Sequence, residues 1–396
     1  MKKLILVTLI AVTVIAAGLH AQQAQPKLKL VWQKEYNAAI QNFTLLEGKG
    51  SPTLGIMLTE NEIQYSNGKS TNLKSGNEGY FYSNIKSKNG KYIGIHRELH
   101  SDNGFIRDGL FSLYNSEGKI ITEIKYKEGR AEDHKRPGLL LNNGNYIISL
   151  NDQGCSHFAI IDKNTDKIIK EFRPIDDFYS SGHIDFAEKE DLFVICTVGT
   201  EKVHEGLVVL YDYSGNEIWR RSLGGGWTGT VAISPFGNYV AALGNEVTTL
   251  FTFNNKGDLL WKLDVDVADI IKFSGDEKYM AVCGLRDVNN TMKYVSTKDG
   301  HVLWEYKLSE KRNFYAAAIT NNNEYIIGID GGGGREKPSG NIANVYLFSK
   351  DGNIIWQESF ETINRKMPKV AFAKDNRHFI LAVGQKLHCY EIGGAK

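Results

Sequence analysis

One short pattern recurs four times in the second half of this chain: YDYSGNEIWRRSL from Tyr211, FNNKGDLLWKLDV from Phe253, STKDGHVLWEYKL from Ser296 and FSKDGNIIWQESF from Phe348. Each copy reads as a strand, a glycine turn and a second strand that carries a tryptophan. The glycine stands where a hairpin needs a residue that tolerates positive φ. Such a repeat constrains the fold strongly, because one unit cannot bury its apolar face alone and must stack on its neighbours.

A second element precedes each turn: a polar Gly/Asn/Asp turn, an aromatic residue and an apolar strand. Its copies centre on Tyr92, Tyr146, Phe193, Tyr239, Tyr279, Tyr325 and Phe379, with spacings of 54, 47, 46, 40, 46 and 54 residues. SPTLGIMLTE, from Ser51 to Glu60, is a weaker first copy with Leu54 in the aromatic position. Periods of this length, with four short strands each, predict an all-β fold, a β-propeller. Composition agrees: 11% aromatic residues and 40 glycines against 7 prolines suit short strands joined by tight turns.

One unit can be laid out in full. TVAIS (Thr230 to Ser234) is an inner strand A, YVAALG strand B, TTLFTFN strand C and LLWKLDV strand D. Simple alternation in D predicts Leu259, Trp261 and Leu263 on one face. The final unit, from Lys369, has strands A, B and C but no D. LKLVWQKEY (Leu28 to Tyr36) resembles IIWQESF, with Trp32 in the place of Trp356. The N-terminal strand is therefore expected to complete the last blade and remove its open edge. That makes eight four-stranded blades, or seven if the Ser51 unit is not a blade. Trp32, Trp219, Trp261, Trp304 and Trp356 are expected to lie largely buried between blades.

The chain begins with MKK followed by a 16-residue apolar run ending in small residues. A spanning helix needs about 20 residues, so this run reads as a secretory signal peptide, residues 1–21, cleaved near Ala21. Residues 28–393 then form a single propeller domain, exported to the periplasm or beyond the cell, with no membrane span after cleavage. No cysteine follows the apolar run, so a lipoprotein anchor has no support. Cys155, Cys196, Cys283 and Cys389 lie far apart inside apolar runs and without a CxxC pair. They are expected to be buried thiols; no zinc or other metal site is indicated, and no disulfide pairing is favoured. Lys and Arg (47) nearly cancel Asp and Glu (46), which argues against nucleic acid or an anionic membrane as the main partner.

The repeat, written YDYSGNEIW, FNNKGDLLW, TKDGHVLW and FSKDGNIIW, resembles that of the quinoprotein-like (PQQ-like repeat) eight-bladed β-propeller family. The resemblance covers nearly all of the chain after the apolar run. It weakens in the first three units, where Thr122, Lys170 or a polar residue replaces the tryptophan. It implies architecture and little about activity. The family's quinone-dependent dehydrogenases carry an adjacent Cys-Cys pair that this sequence lacks, so no quinone cofactor is expected. The family's propeller lipoproteins of outer-membrane assembly carry a lipid-bearing cysteine, also missing here. WD40 repeats compare less well, because their Gly-His and Trp-Asp dipeptides do not recur.

In a propeller the B–C and D–A connections share one rim, and the A–B and C–D turns the other. The A–B turns here are four-residue and plain. The B–C and D–A loops are long and varied, including RELHSDNGFIRDG, EGRAEDHKRPG, RPIDDFYSSGH and DGGGGREKPSG. The last lacks the GK[ST] ending of a phosphate loop and joins two strands. Binding candidates on this rim are His100, His134, Arg136, His157, His183, His204, Trp227, Arg286 and Arg335. No HExxH, GxSxG or paired-carboxylate spacing assigns a catalytic residue. The expected function is non-catalytic binding of a protein or glycan by a monomer. The alternative is a lyase-like enzyme whose His/Arg-lined funnel acts on acidic polysaccharide.

Overall fold

A computed structural model describes residues 27–46, 52–59, 62–65, 67–72, 80–99, 107–128, 137–149, 157–174, 183–197, 206–225, 229–244, 248–265, 268–284, 290–309, 312–332, 342–362 and 367–393. All regular structure in them is β, arranged as eight four-stranded antiparallel sheets, the blades of a propeller. Blades 1 to 7 follow one another at residues 40–72, 80–128, 137–172, 183–222, 231–264, 270–307 and 312–361. Blade 8 combines residues 369–392 with the N-terminal strand Leu28–Glu35, which pairs antiparallel with Lys386–Ile392. Eight, not seven, is the count, and the Ser51 unit belongs to a true blade.

Burial follows position in the blade. Strand B of blade 5 (Tyr239–Gly244) and strand C of blade 3 (Phe158–Ile161) are buried almost throughout. Strand D of blade 3 (Ile168–Phe172) is exposed except at its last residue. The core is correspondingly divided into layers between blades. One layer joins Val208, Leu210 and Trp219 of blade 4 to Val231, Val240 and Phe251 of blade 5. Another joins Leu387, Cys389 and Trp32 of blade 8 to Ile40, Phe43 and Met57 of blade 1, so the ring closes through apolar contact as well as strand pairing. The described cysteines Cys196, Cys283 and Cys389 are buried in three such layers. Burial pushes the Cys283 thiol up to about 12, so it stays protonated.

The alternation expected in strand D fails at one residue. In blade 5 Phe253 pairs with Leu259 and Thr252 with Trp261, which leaves Leu260 as a bulge. The bulge moves Leu259 off the face of Trp261, and Leu259 is 45% exposed. The same shift precedes Trp219, Trp304 and Trp356. It also precedes Trp32, between Leu30 and Trp32, although that strand comes from the other end of the chain.

The bulge aims each tryptophan at the next blade. Trp219, Trp261 and Trp304 donate their indole N–H to the carbonyls of Asn255, Thr297 and Lys350 at 3.1, 2.9 and 2.9 Å, all in the C–D turn of the following blade. The turn glycine lies under the ring: a Cβ on Gly257 would come within 2.9 Å of Trp219, and one on Gly300 within 2.7 Å of Trp261. These glycines also have φ of 81° and 74°, so backbone and packing both exclude a side chain. Where blade 3 has Lys170 in place of tryptophan, its aliphatic stem covers Gly215 instead. Burial is less complete than expected: Trp219 is 6% exposed, whereas Trp32, Trp261, Trp304 and Trp356 are half-buried because strand D is the outermost.

Replacing Trp219 by Ala is expected to cost about 3–5 kcal/mol, and replacing half-buried Trp304 less, measured by denaturant unfolding. Deleting residues 28–35 should lower the melting temperature and cause association in light scattering, since it bares an edge of blade 8. A truncated protein that stayed monomeric and melted unchanged would contradict the closure.

Candidate functional site

The two rims differ in how their polar groups are used. On the A–B rim, neighbouring turns are tied together round most of the ring. Asn89 Nδ2 donates to Asn142 O at 2.8 Å, and Asn142 Nδ2 to Ala187 O at 3.0 Å. The Lys189 N–H bonds Pro235 O at 2.8 Å. Glu277 accepts from Ser234 Oγ at 2.6 Å and Asn238 Nδ2 at 2.7 Å. Asn323 donates to Asp276, and Asn376 Oδ1 accepts the Asn321 N–H at 2.7 Å. These contacts link blades 2 through 8 in succession. Glu277, Asn323 and Asn376 hold φ of 62°, 62° and 59°, the left-handed conformation that Gly90, Gly144 and Gly237 supply in other turns. Their side chains bond the preceding blade, which offsets the strain of that backbone.

On the opposite rim the predicted residues divide. His100, His134, Arg136, His204, Trp227, Arg286 and Arg335 lie outside the described residues, as does Cys155. His157 is described and is not a free loop side chain. It is 7% exposed, with Nε2 3.1 Å from Glu171 Oε2 and Nδ1 3.4 Å from an Arg173 guanidinium nitrogen. Both partners belong to the end of strand D, so His157 locks the B–C side of blade 3 to its outer edge. His183 is exposed and opens strand A of blade 4, where it lines the central channel. His96, on strand B of blade 2, is buried with its ring centre 5.0 Å from that of Phe111. Among the described residues, no three His, Cys, Asp or Glu side chains are grouped to hold a metal ion.

A site that sequence reasoning missed anchors the same rim in blade 7. Asp330, fully buried, accepts from Arg312 Nε at 2.9 Å and is also bonded by the Arg312 Nη2 group. It accepts in addition from the Asn344 backbone N–H at 3.0 Å and from the Tyr346 hydroxyl at 2.8 Å. The bond to Asp330 raises the Arg312 pKa above its ordinary value, and burial first, then Asp330, raises that of the Tyr346 phenol. Strands A, B and C of blade 7 are thus pinned where DGGGGREKPSG leaves them. The sequence signal was the aspartate heading that loop, but its arginine lies 18 residues upstream, across a sheet.

Between the inner strands runs a channel of about 570 Å³, lined by His183 and Asp185 of blade 4, Thr230 and Val231 of blade 5, and Tyr315 of blade 7, among others. Its size falls in the range of small-molecule sites. A cleft of about 490 Å³ follows the seam between Trp32 and the blade 1 turn at Gly68.

Comparison with known proteins agrees with this architecture. The family described as "Outer membrane protein assembly factor BamB" matches over residues 204–335. The crystal structure of BamB from Moraxella catarrhalis is similar with a TM-score of 0.57 and 12% identity, covering 92% of this chain and 98% of that one. The Dos1 propeller gives 0.55 and 13%, covering 93% and 95%. No curated protein sequence matches the chain. Sequence in the best-conforming blades and fold across the rest agree on an eight-bladed propeller of PQQ-like repeats.

Replacing Asp330 by Ala should destabilise the protein by about 3–5 kcal/mol in denaturant unfolding, because it strands a half-buried arginine and three hydrogen-bond donors, the Asn344 backbone N–H, its Nδ2 and the Tyr346 hydroxyl. A loss under about 1 kcal/mol, the range of an exposed pair, would show that the network does not anchor the rim.

Proposed function

We propose that this protein is an exported propeller that binds another protein through its B–C/D–A rim. The observation that carries this reading is the contrast between the rims. Polar side chains of the A–B turns are committed to inter-blade bonds, from Asn89 through Glu277 to Asn376, and four-residue turns project little beyond the scaffold. The long loops of the other rim carry His100, His134, Arg136, His204, Trp227, Arg286 and Arg335, with His183 at the channel edge. Diverse loops on a rigid frame are suited to recognition. A protein partner is favoured over a glycan by the matching family, whose description is an assembly factor. Similar propellers at 12 and 13% identity support the scaffold only. The apolar N-terminal run supports export with cleavage near Ala21.

The reading is tested in cells. A photo-crosslinking amino acid at His134 or Trp227 is expected to capture a discrete protein adduct, and the same residue at Asn143 or Asn322 on the A–B rim is not. N-terminal sequencing of the purified protein should begin near Gln22. Adducts confined to Asn143 and Asn322 would reverse the assignment of the rim, and release of unsaturated sugars from a polyuronate would favour the lyase-like alternative.

A further inference from the structure

The central channel carries a charge pattern that the rim loops do not use. Each even-numbered blade lends it a charged residue: Lys86 in blade 2, Asp185 in blade 4, Lys272 in blade 6 and Lys369 in blade 8. Between them the walls are largely small and apolar, with Val231 and Ala232 from blade 5 and Ala316 and Ala317 from blade 7. In a ring of eight, blades 2 and 6 face one another and blade 8 lies midway. Lys86 and Lys272 therefore approach from opposite walls, and Lys369 from the side.

Two carboxylates, Asp185 and Asp269, share the lining with these lysines, and Asp185 is already engaged. Asp185 Oδ1 lies 2.7 Å from Lys88 Nζ, and its Oδ2 accepts the Ile233 N–H at 3.1 Å. Lys86 Nζ donates to Phe43 O at 2.8 Å, which fixes the ammonium at the wall and leaves two further protons for other acceptors. Beside it, Asn42 and Asn84 bond to one another at 2.6 Å across blades 1 and 2. Asp269, His183 and the Tyr315 phenol complete the titratable groups of the lining.

The lysines are held against their own repulsion. Burial in the channel walls, then the charges of Lys369 and Lys272, pull Lys86 down to about 8. Burial also lowers Lys272, with Lys88 adding to the effect and Asp185 opposing it. Both side chains nonetheless open onto the channel. Like charges converging between low-dielectric walls create a positive potential that an anion would relieve.

We propose that the channel is a binding site for a compact oxyanion carrying two negative charges, held by Lys86, Lys272 and Lys369. Lysine ammoniums act as point charges, and three of them around a cavity suit a compact group such as phosphate better than a flat one that arginine would fork. The site is independent of which macromolecule the rim binds.

The test is calorimetric titration of the full chain with inorganic phosphate and, separately, succinate, with sodium chloride holding ionic strength constant. One anion should bind per chain, and the tighter of the two identifies phosphate or carboxylate chemistry. Lys86→Gln and Lys272→Gln should each weaken binding about tenfold or more, the loss of one charge-assisted hydrogen bond. Asp185→Asn should tighten it, a reversal of sign that a merely structural role would not produce. Lys272→Arg should retain binding even if the glutamine variants fold poorly. Absence of heat with both anions at millimolar concentration, or equal affinity in wild type and the double glutamine variant, would overturn the proposal.

Discussion

Everything in this fold depends on pairing the two ends of the chain. Seven blades are built from consecutive strands, whereas the last takes its outer strand from the N-terminal segment Leu28–Glu35, paired with Lys386–Ile392. That strand reproduces the geometry of the internal D strands, including the bulge before its tryptophan. Trp32 thus enters the blade 8–blade 1 layer much as Trp219 enters the layer between blades 4 and 5. Closure makes every inter-blade layer mutually dependent, since each blade is supported from both sides.

Between blades, one device does most of the positioning. The bulge turns the tryptophan toward the neighbouring C–D turn, the indole N–H satisfies a turn carbonyl, and the glycine offers a flat surface under the ring. At the inner end of the same rim the A–B turns add side-chain bonds between blades. This rim is therefore fastened at two radii. Among the described residues the other rim has anchors within blades, at His157 of blade 3 and Asp330 of blade 7, and fewer bonds between blades, such as Thr230 Oγ1 to Asp269 O at 2.7 Å, with long connections between strands. A scaffold stitched more densely at one end leaves the long loops of the other free to vary in sequence without loss of frame.

The channel is a by-product of the same ring that acquires chemistry only through placement. Lys86, Lys272 and Lys369 are far apart in sequence, and each follows or precedes apolar residues that read as ordinary inner strand. Nothing in their spacing distinguishes them from surface lysines. Their common property, facing one axis from three blades, exists only once the ring has closed. His157 teaches the converse: a histidine in a loop-like stretch is buried because the returning D strand brings Glu171 and Arg173 to it.

By itself the sequence determined the repeat, the strand order within a unit, the C–D glycines and the closure, because each rests on local chemistry: period-2 apolar runs, positive φ at a turn, and a strand missing at one end and present at the other. Trp32 could be matched to Trp356 by neighbours alone. Three-dimensional packing decided the rest. Leu259 faces solvent because a bulge shifts register by one, and a bulge leaves no mark in a pattern of apolar residues. Trp261 and Trp304 remain half-buried because the outermost strand has protein on only some sides. The Arg312–Asp330 pair and the channel lysines join residues from separate strands or blades. Electrostatics acts through space, so their partnership belongs to the fold and not to any stretch of chain.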